Sequence, residues 1–135
     1  ALNIVNGRGE EVGEAIARHP GVAKISFTGS SAVGQHLVAI GAATMKRVTL
    51  ELGGKSPTVL LEDADFTAAM PLVLQAGFAN SGQACIAGTR ILVPRSRLAE
   101  FERVAKEAVS RIRSGDPQDA GTDIGPMVSR KQWER

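Results

Sequence analysis

Apolar and polar positions change rhythm repeatedly along this chain, and each change marks an element. Leu98, Phe101, Val104, Ala105, Ala108, Val109 and Ile112 fall on one helical stripe, the clearest periodicity present. Elsewhere the rhythm shortens. Val22 to Phe27, Arg47 to Leu52, Thr58 to Leu61 and Ile91 to Val93 are short apolar or alternating runs flanked by glycine or proline, the signature of strands. Leu2 to Gly7 reads as a further short strand or extended segment that ends at its glycine. Between the strands, Glu10 to Arg18 predicts a helix with acids in its first turn and Arg18 near its end, as the helix dipole favours. Pro20-Gly21 stops it. Ser31 to Ala43 predicts a second helix, and Asp65 is a good N-cap for a third beginning at Phe66. Pro71 predicts a kink or a restart in that helix, because an interior proline removes a hydrogen bond and crowds the preceding turn. Leu72 to Phe78 is apolar on nearly every side and is expected to be buried.

Strands alternating with helices predict an α/β protein with a mostly parallel sheet. The break in pattern at Gly53-Gly54 predicts two domain segments, 1–52 and 53–135. Each is small, and beyond Gly115-Asp116-Pro117 the chain turns polar with no convincing closing element. The expectation is an internal fragment of a longer protein.

Composition narrows the function classes. The 135 residues suffice for a modest core. No apolar run reaches the roughly 18 residues of a membrane span, so no membrane partner is expected. Net charge is +2, basic residues are interleaved with acids and aromatics make up 4%, which gives nucleic-acid binding little support. The single cysteine, Cys85, cannot form an internal disulfide, and no cysteine-based metal site is expected. The default compartment is the reducing cytoplasm.

Three segments carry candidate chemistry. The first is Thr28-Gly29-Ser30-Ser31-Ala32-Val33-Gly34, where a strand runs into a helix. Unpaired helix N–H groups and the Ser30 hydroxyl suit a phosphate or pyrophosphate. It is neither a P-loop nor the usual dinucleotide fingerprint, and from pattern alone a plain tight turn with a serine N-cap explains it better. The second is Leu50-Glu51-Leu52-Gly53-Gly54-Lys55-Ser56-Pro57. Glu51 ends an apolar run, and burial among apolar neighbours would favour its protonated form and suit it to general-base work. Its plain alternative is a strand-end ion pair with Arg47 or Lys55. The third is Phe78-Ala79-Asn80-Ser81-Gly82-Gln83-Ala84-Cys85-Ile86-Ala87-Gly88-Thr89. Cys85 is either a small buried hydrophobe or a thiol presented to a cleft by a polar turn. A cysteine hydrolase would pair it with histidine, but His19 and His36 both read as surface or capping residues.

Together the three segments resemble the aldehyde dehydrogenase superfamily. Leu50 to Pro57 resembles its glutamate active-site motif, Phe78 to Thr89 its cysteine motif and Phe27 to Gly34 its cofactor loop, and Gly125-Pro126-Met127 is also similar. The resemblance implies a Rossmann-like cofactor-domain segment followed by the start of a catalytic domain. It implies oxidation of an aldehyde to a carboxylic acid with NAD or NADP, in a parent protein that is a homodimer or homotetramer. Cys85 would be the nucleophile, its own N–H helping to hold the oxyanion, and Glu51 would activate the water that hydrolyses the thioester. Gly29, Ser30 and Gly34 would lie near the cofactor pyrophosphate, and the Leu52 backbone beside the nicotinamide amide. The family's oxyanion-hole asparagine and ribose-binding residues would lie outside these 135 positions, so the segment alone is expected to be inactive. Two alternatives stand beside this: a catalytically silent structural relative, against which intact Cys85 and Glu51 count, and an acylating enzyme, which needs no water-activating base.

Overall fold

A computed structural model of the protein describes residues 1–134. The chain forms two compact units, Ala1–Gly53 and Gly54–Arg135.

The first unit is a β-α-β crossover. β1 (Lys24–Gly29) and β2 (Arg47–Leu52) pair in parallel with Lys24 opposite Arg47, Thr28 opposite Glu51 and Gly29 opposite Leu52. The connection is α2 (Ser31–Ala42), whose buried positions are Gly34, Leu37 and Gly41. Two of these are glycines because the helix lies close on the strands. A Cβ on Gly34 would stand 3.0 Å from Leu52 Cδ2, and one on Gly41 would stand 3.3 Å from Val48 Cγ2. Ahead of β1, a π-helical turn (Gly9–Gly13) leads into α1 (Glu14–Arg18), which buries Ala17. Lys46, itself buried, donates from Nζ to the carbonyls of His19 and Val22, both at 2.6 Å, and so ties the chain before β1 to the start of β2.

The second unit pairs β3 (Pro57–Val59) in parallel with β4 (Arg90–Leu92), Thr58 opposite Ile91. Between them run α3 (Phe66–Phe78) and the turn that carries Cys85. After β4 the chain enters α4 (Leu98–Val109), and a short α5 (Arg130–Trp133) follows later. Asp65 caps α3 as its sequence predicts, Oδ1 accepting the N–H groups of Thr67 and Ala68 at 2.9 and 3.0 Å. The core joins α3 to α4 through Phe66, Met70, Val73, Phe101 and Val104. Phe66 and Phe101 meet edge to face with centroids 5.6 Å apart, a geometry that suits the ring quadrupoles.

Two expectations are corrected. α3 does not restart at Pro71 but continues through it. Pro71 and Thr67, whose carbonyl loses its N–H partner, both lie on the exposed face, where solvent can satisfy the oxygen. Leu72 to Phe78 is not buried throughout: Val73 is 3% exposed, but Leu72 is 69% and Phe78 is 42%. Met70 and Val73 face the core shared with α4, whereas Leu72 and Phe78 lie off that stripe. Of the two readings of Leu2 to Gly7, a strand or an extended segment, the strand is not formed, and Leu2, Ile4 and Val5 are exposed. No helix among those residues is long and apolar enough to cross a membrane, and no cluster of three or more candidate ligands could hold a metal.

Candidate active site

In the first unit the candidate residues gather at the carboxyl ends of β1 and β2, where open α/β sheets place their ligands. Gly29 closes β1 and lies opposite Leu52, which closes β2. Ser30 is the N-cap of α2, its Oγ accepting the Val33 N–H at 3.3 Å while its carbonyl accepts the Gly34 N–H at 2.9 Å. The first helical N–H groups, those of Ser31 and Ala32, have no partner within the helix. All of Gly29, Ser30, Ser31 and Ala32 are exposed. The result is a set of outward N–H groups, one hydroxyl and the positive end of a 12-residue helix, equipment suited to an anion. Gly34 is placed differently from Gly29 and Ser30. It is buried against Leu52 and Leu50, where its missing Cβ sets how closely the helix end approaches the strand ends.

Glu51 is not buried among apolar residues. β2 alternates, so Val48, Leu50 and Leu52 are half-buried while Arg47, Thr49 and Glu51 are exposed. The apolar neighbours that suggested burial lie on the opposite face of the strand. The strand-end ion pair with Arg47 is likewise absent among the described residues. His36 is engaged elsewhere, its Nε2 2.7 Å from Glu14 Oε2, and His19 Nδ1 accepts the Gly21 N–H at 3.0 Å. Both histidines therefore act as surface and capping groups.

Cys85 belongs to the second unit and is a free, exposed cysteine. It follows a backbone of unusual shape. Asn80, Ser81 and Gly82 take φ values of 54°, 56° and 72° in succession. Glycine does this freely and asparagine with little strain, but serine in the left-handed region costs roughly 1–2 kcal/mol. The turn is held by bonds from several directions. Ser81 Oγ donates to the Gly125 carbonyl at 3.1 Å, and Gln83 Oε1 accepts the Val128 N–H at 2.9 Å. Beyond the cysteine, Gly88 is buried and donates its N–H to the Ala76 carbonyl at 2.9 Å. The Cys85 N–H itself has no hydrogen-bond partner among the described residues. A cleft of about 520 Å³ is lined by Asn80 and Ser81 with Phe78, Arg111, Asp123 and Ile124, and Cys85 is not among its lining residues. Sequence reasoning did not single out Ser81, Gln83 or Gly88. Their roles depend on partners far along the chain, which no local pattern records.

A family model described as the aldehyde dehydrogenase family matches residues 1–135. Solved structures agree. A mutant of aldehyde dehydrogenase C from Pseudomonas syringae, in complex with NAD+ and octanal, is 50% identical, with 97% of this chain and 27% of that one covered at a TM-score of 0.92. Betaine aldehyde dehydrogenase from Staphylococcus aureus, in complex with NAD+, is 38% identical, with 95% and 25% covered at 0.90. A mutant aldehyde dehydrogenase from Bacillus cereus is 40% identical, with 96% and 26% covered at 0.89. The chain spans about a quarter of the length of these solved relatives.

Proposed function

The chain belongs to the aldehyde dehydrogenase family, and from that premise we propose that the protein carrying it oxidises an aldehyde to a carboxylic acid with NAD+. The observation that carries the proposal is the place of Cys85 just after a polar turn held by Ser81 and Gln83, within a chain that the family model matches throughout.

The residues of the first unit fit the cofactor. The open N–H groups of Ser31 and Ala32, the Ser30 hydroxyl and the exposed Gly29 backbone would hold its pyrophosphate at the start of α2. Gly34 would act through packing, by letting that helix end sit close to Leu52. The Leu52 backbone would border the nicotinamide amide. When bound, NAD+ supplies the acceptor for the hydride that the substrate carbon gives up.

The remaining chemistry falls to two side chains. The Cys85 thiolate attacks the aldehyde carbon, forming a C–S bond, and the carbonyl electron pair moves onto oxygen. The unpartnered Cys85 N–H would donate to that oxyanion. Loss of the hydride leaves a thioester on Sγ. Glu51, exposed at the end of β2, takes a proton from the water that attacks the thioester carbon. The C–S bond then breaks, the acid departs and the thiolate is restored. The parent is proposed to be a homodimer or homotetramer.

The test is Cys85→Ala in the protein that carries this chain. Aldehyde-dependent NADH formation is expected to vanish while NAD+ binding persists; turnover at the wild-type rate would remove Cys85 from the mechanism.

A further inference from the structure

Resting on the reading of Cys85 as nucleophile, we propose that Gln83 is a positioning residue that fixes the cysteine turn to the Gly125–Val128 segment and thereby sets where the thiol meets its substrate. The turn has few restraints of its own. Gly82 is flexible by nature, Asn80 and Ser81 sit in a left-handed conformation that local preference does not favour, and Cys85 and Ile86 are exposed with no core contact to fix them. Gln83 compensates with three bonds from one residue. Its Oε1 accepts the Val128 N–H at 2.9 Å, its Nε2 donates to the Asn80 carbonyl at 3.4 Å, and its own N–H donates to the same carbonyl at 3.1 Å. Asn80 Nδ2 returns a bond to the Gln83 carbonyl at 3.5 Å. Ser81 Oγ adds a second strut to the same distant segment, at the Gly125 carbonyl.

Two features make Gln83 the key member. Its side chain reaches Val128, 45 positions further along the chain, at 2.9 Å and so ties the turn to a distant segment. It also stands two residues before the thiol, so a shift at its Cα is passed to Cys85 through two peptide units. A side chain of this length with an acceptor at its end is required for the bond to Val128, which an apolar side chain cannot make; the amide donor adds only the longer local bond to Asn80. The bond to Val128 is the long-range one and the one that fixes position. Misplacing a reacting group by about 1 Å costs up to about a hundredfold in rate.

The test uses the protein that carries this chain, with an aldehyde and NAD+. Gln83→Met keeps length but loses the bond, Gln83→Asn keeps the amide but falls short of Val128, and Gln83→Glu keeps the acceptor. Gln83→Met is expected to lower kcat at least about tenfold with KM for NAD+ within about twofold of wild type. Gln83→Asn should do the same where Gln83→Met does not fold. Gln83→Glu should retain kcat within about threefold, measured at a pH where the thiol is ionised in every variant. Alkylation of the Cys85 peptide by iodoacetamide at that pH should be unchanged in all of them, which locates the loss in geometry and not in the thiol. Wild-type kcat in Gln83→Met or Gln83→Asn would overturn the proposal, as would a loss that tracks the unfolded fraction equally in all three variants. If instead Cys85→Ala keeps its activity, the underlying reading fails, whatever the Gln83 variants do.

Discussion

Thr58 on β3 and Gly88 beyond the cysteine turn are bonded across the second unit, the Thr58 hydroxyl donating to the Gly88 carbonyl at 3.3 Å. With the Gly88 N–H on the Ala76 carbonyl at 2.9 Å, the far side of the turn is anchored to both a strand and α3. The fit leaves no room for a side chain. A Cβ on Gly88 would stand 2.3 Å from Thr58 Oγ1 and 3.4 Å from Ala76 Cβ.

Gly88→Ala should therefore destabilise the second unit. Thr58 is β-branched and has few rotamers in which to move aside, so the clash is relieved by shifting backbone at a cost of about 1–3 kcal/mol. Chemical denaturation would show a lower midpoint. A midpoint equal to wild type would mean that the contact is slack.

Arg97 is a second structural anchor that charge alone cannot replace. Its guanidinium meets both carboxylate oxygens of Glu100 at 2.8 and 2.9 Å and the carbonyls of Glu62 and Ala64 at 2.7 Å, and it lies 4.0 Å from the Phe66 ring centroid. Arg97→Lys should lower the melting temperature, since one ammonium cannot reproduce a planar fork with five donors. It should also return the Glu100 carboxyl, now held low chiefly by its hydrogen bond to Arg97, to the usual glutamate range in an NMR titration. An unmoved Glu100 would show that Arg97 is not what holds it.

Glu14 makes the first unit sensitive to acid. Its carboxyl is held below the usual range chiefly by the hydrogen bond to His36, with Arg18 assisting and burial opposing. A carboxyl depressed in the folded state stabilises above its unfolded value, and that contribution disappears as pH falls through the folded value. The difference in melting temperature between wild type and Glu14→Gln should therefore be largest near neutrality and shrink as pH drops below the usual glutamate range. A difference that stays constant through that range would contradict the linkage.

Much of the fold was legible because its determinants are local. Arg47–Leu52 and the start of α3 at Phe66 follow from alternation and from one capping aspartate. The stripe through Phe101 and Val104 is the buried face of α4. What misled was context. Glu51 sits among leucines in sequence yet on the other face of its strand, and Leu72 is apolar yet faces no partner. The chemistry divides in the same way. Local chemistry offered Ser30, Glu51 and Cys85 as candidates and the family resemblance implied their roles, whereas the bonds that hold the cysteine turn were invisible. The bonds of Ser81 to Gly125 and of Gln83 to Val128 span 44 and 45 positions, and only the folded backbone creates them.

The proposed oxidation passes through a covalent intermediate at one sulfur. The direct measurement is mass spectrometry of the Glu51→Gln protein, quenched with acid during turnover of an aldehyde with NAD+ and digested. Slowed deacylation should leave the Cys85 peptide heavier by the acyl group of that aldehyde. A Cys85 peptide of unmodified mass, with turnover undiminished by the substitution, would contradict both assigned roles.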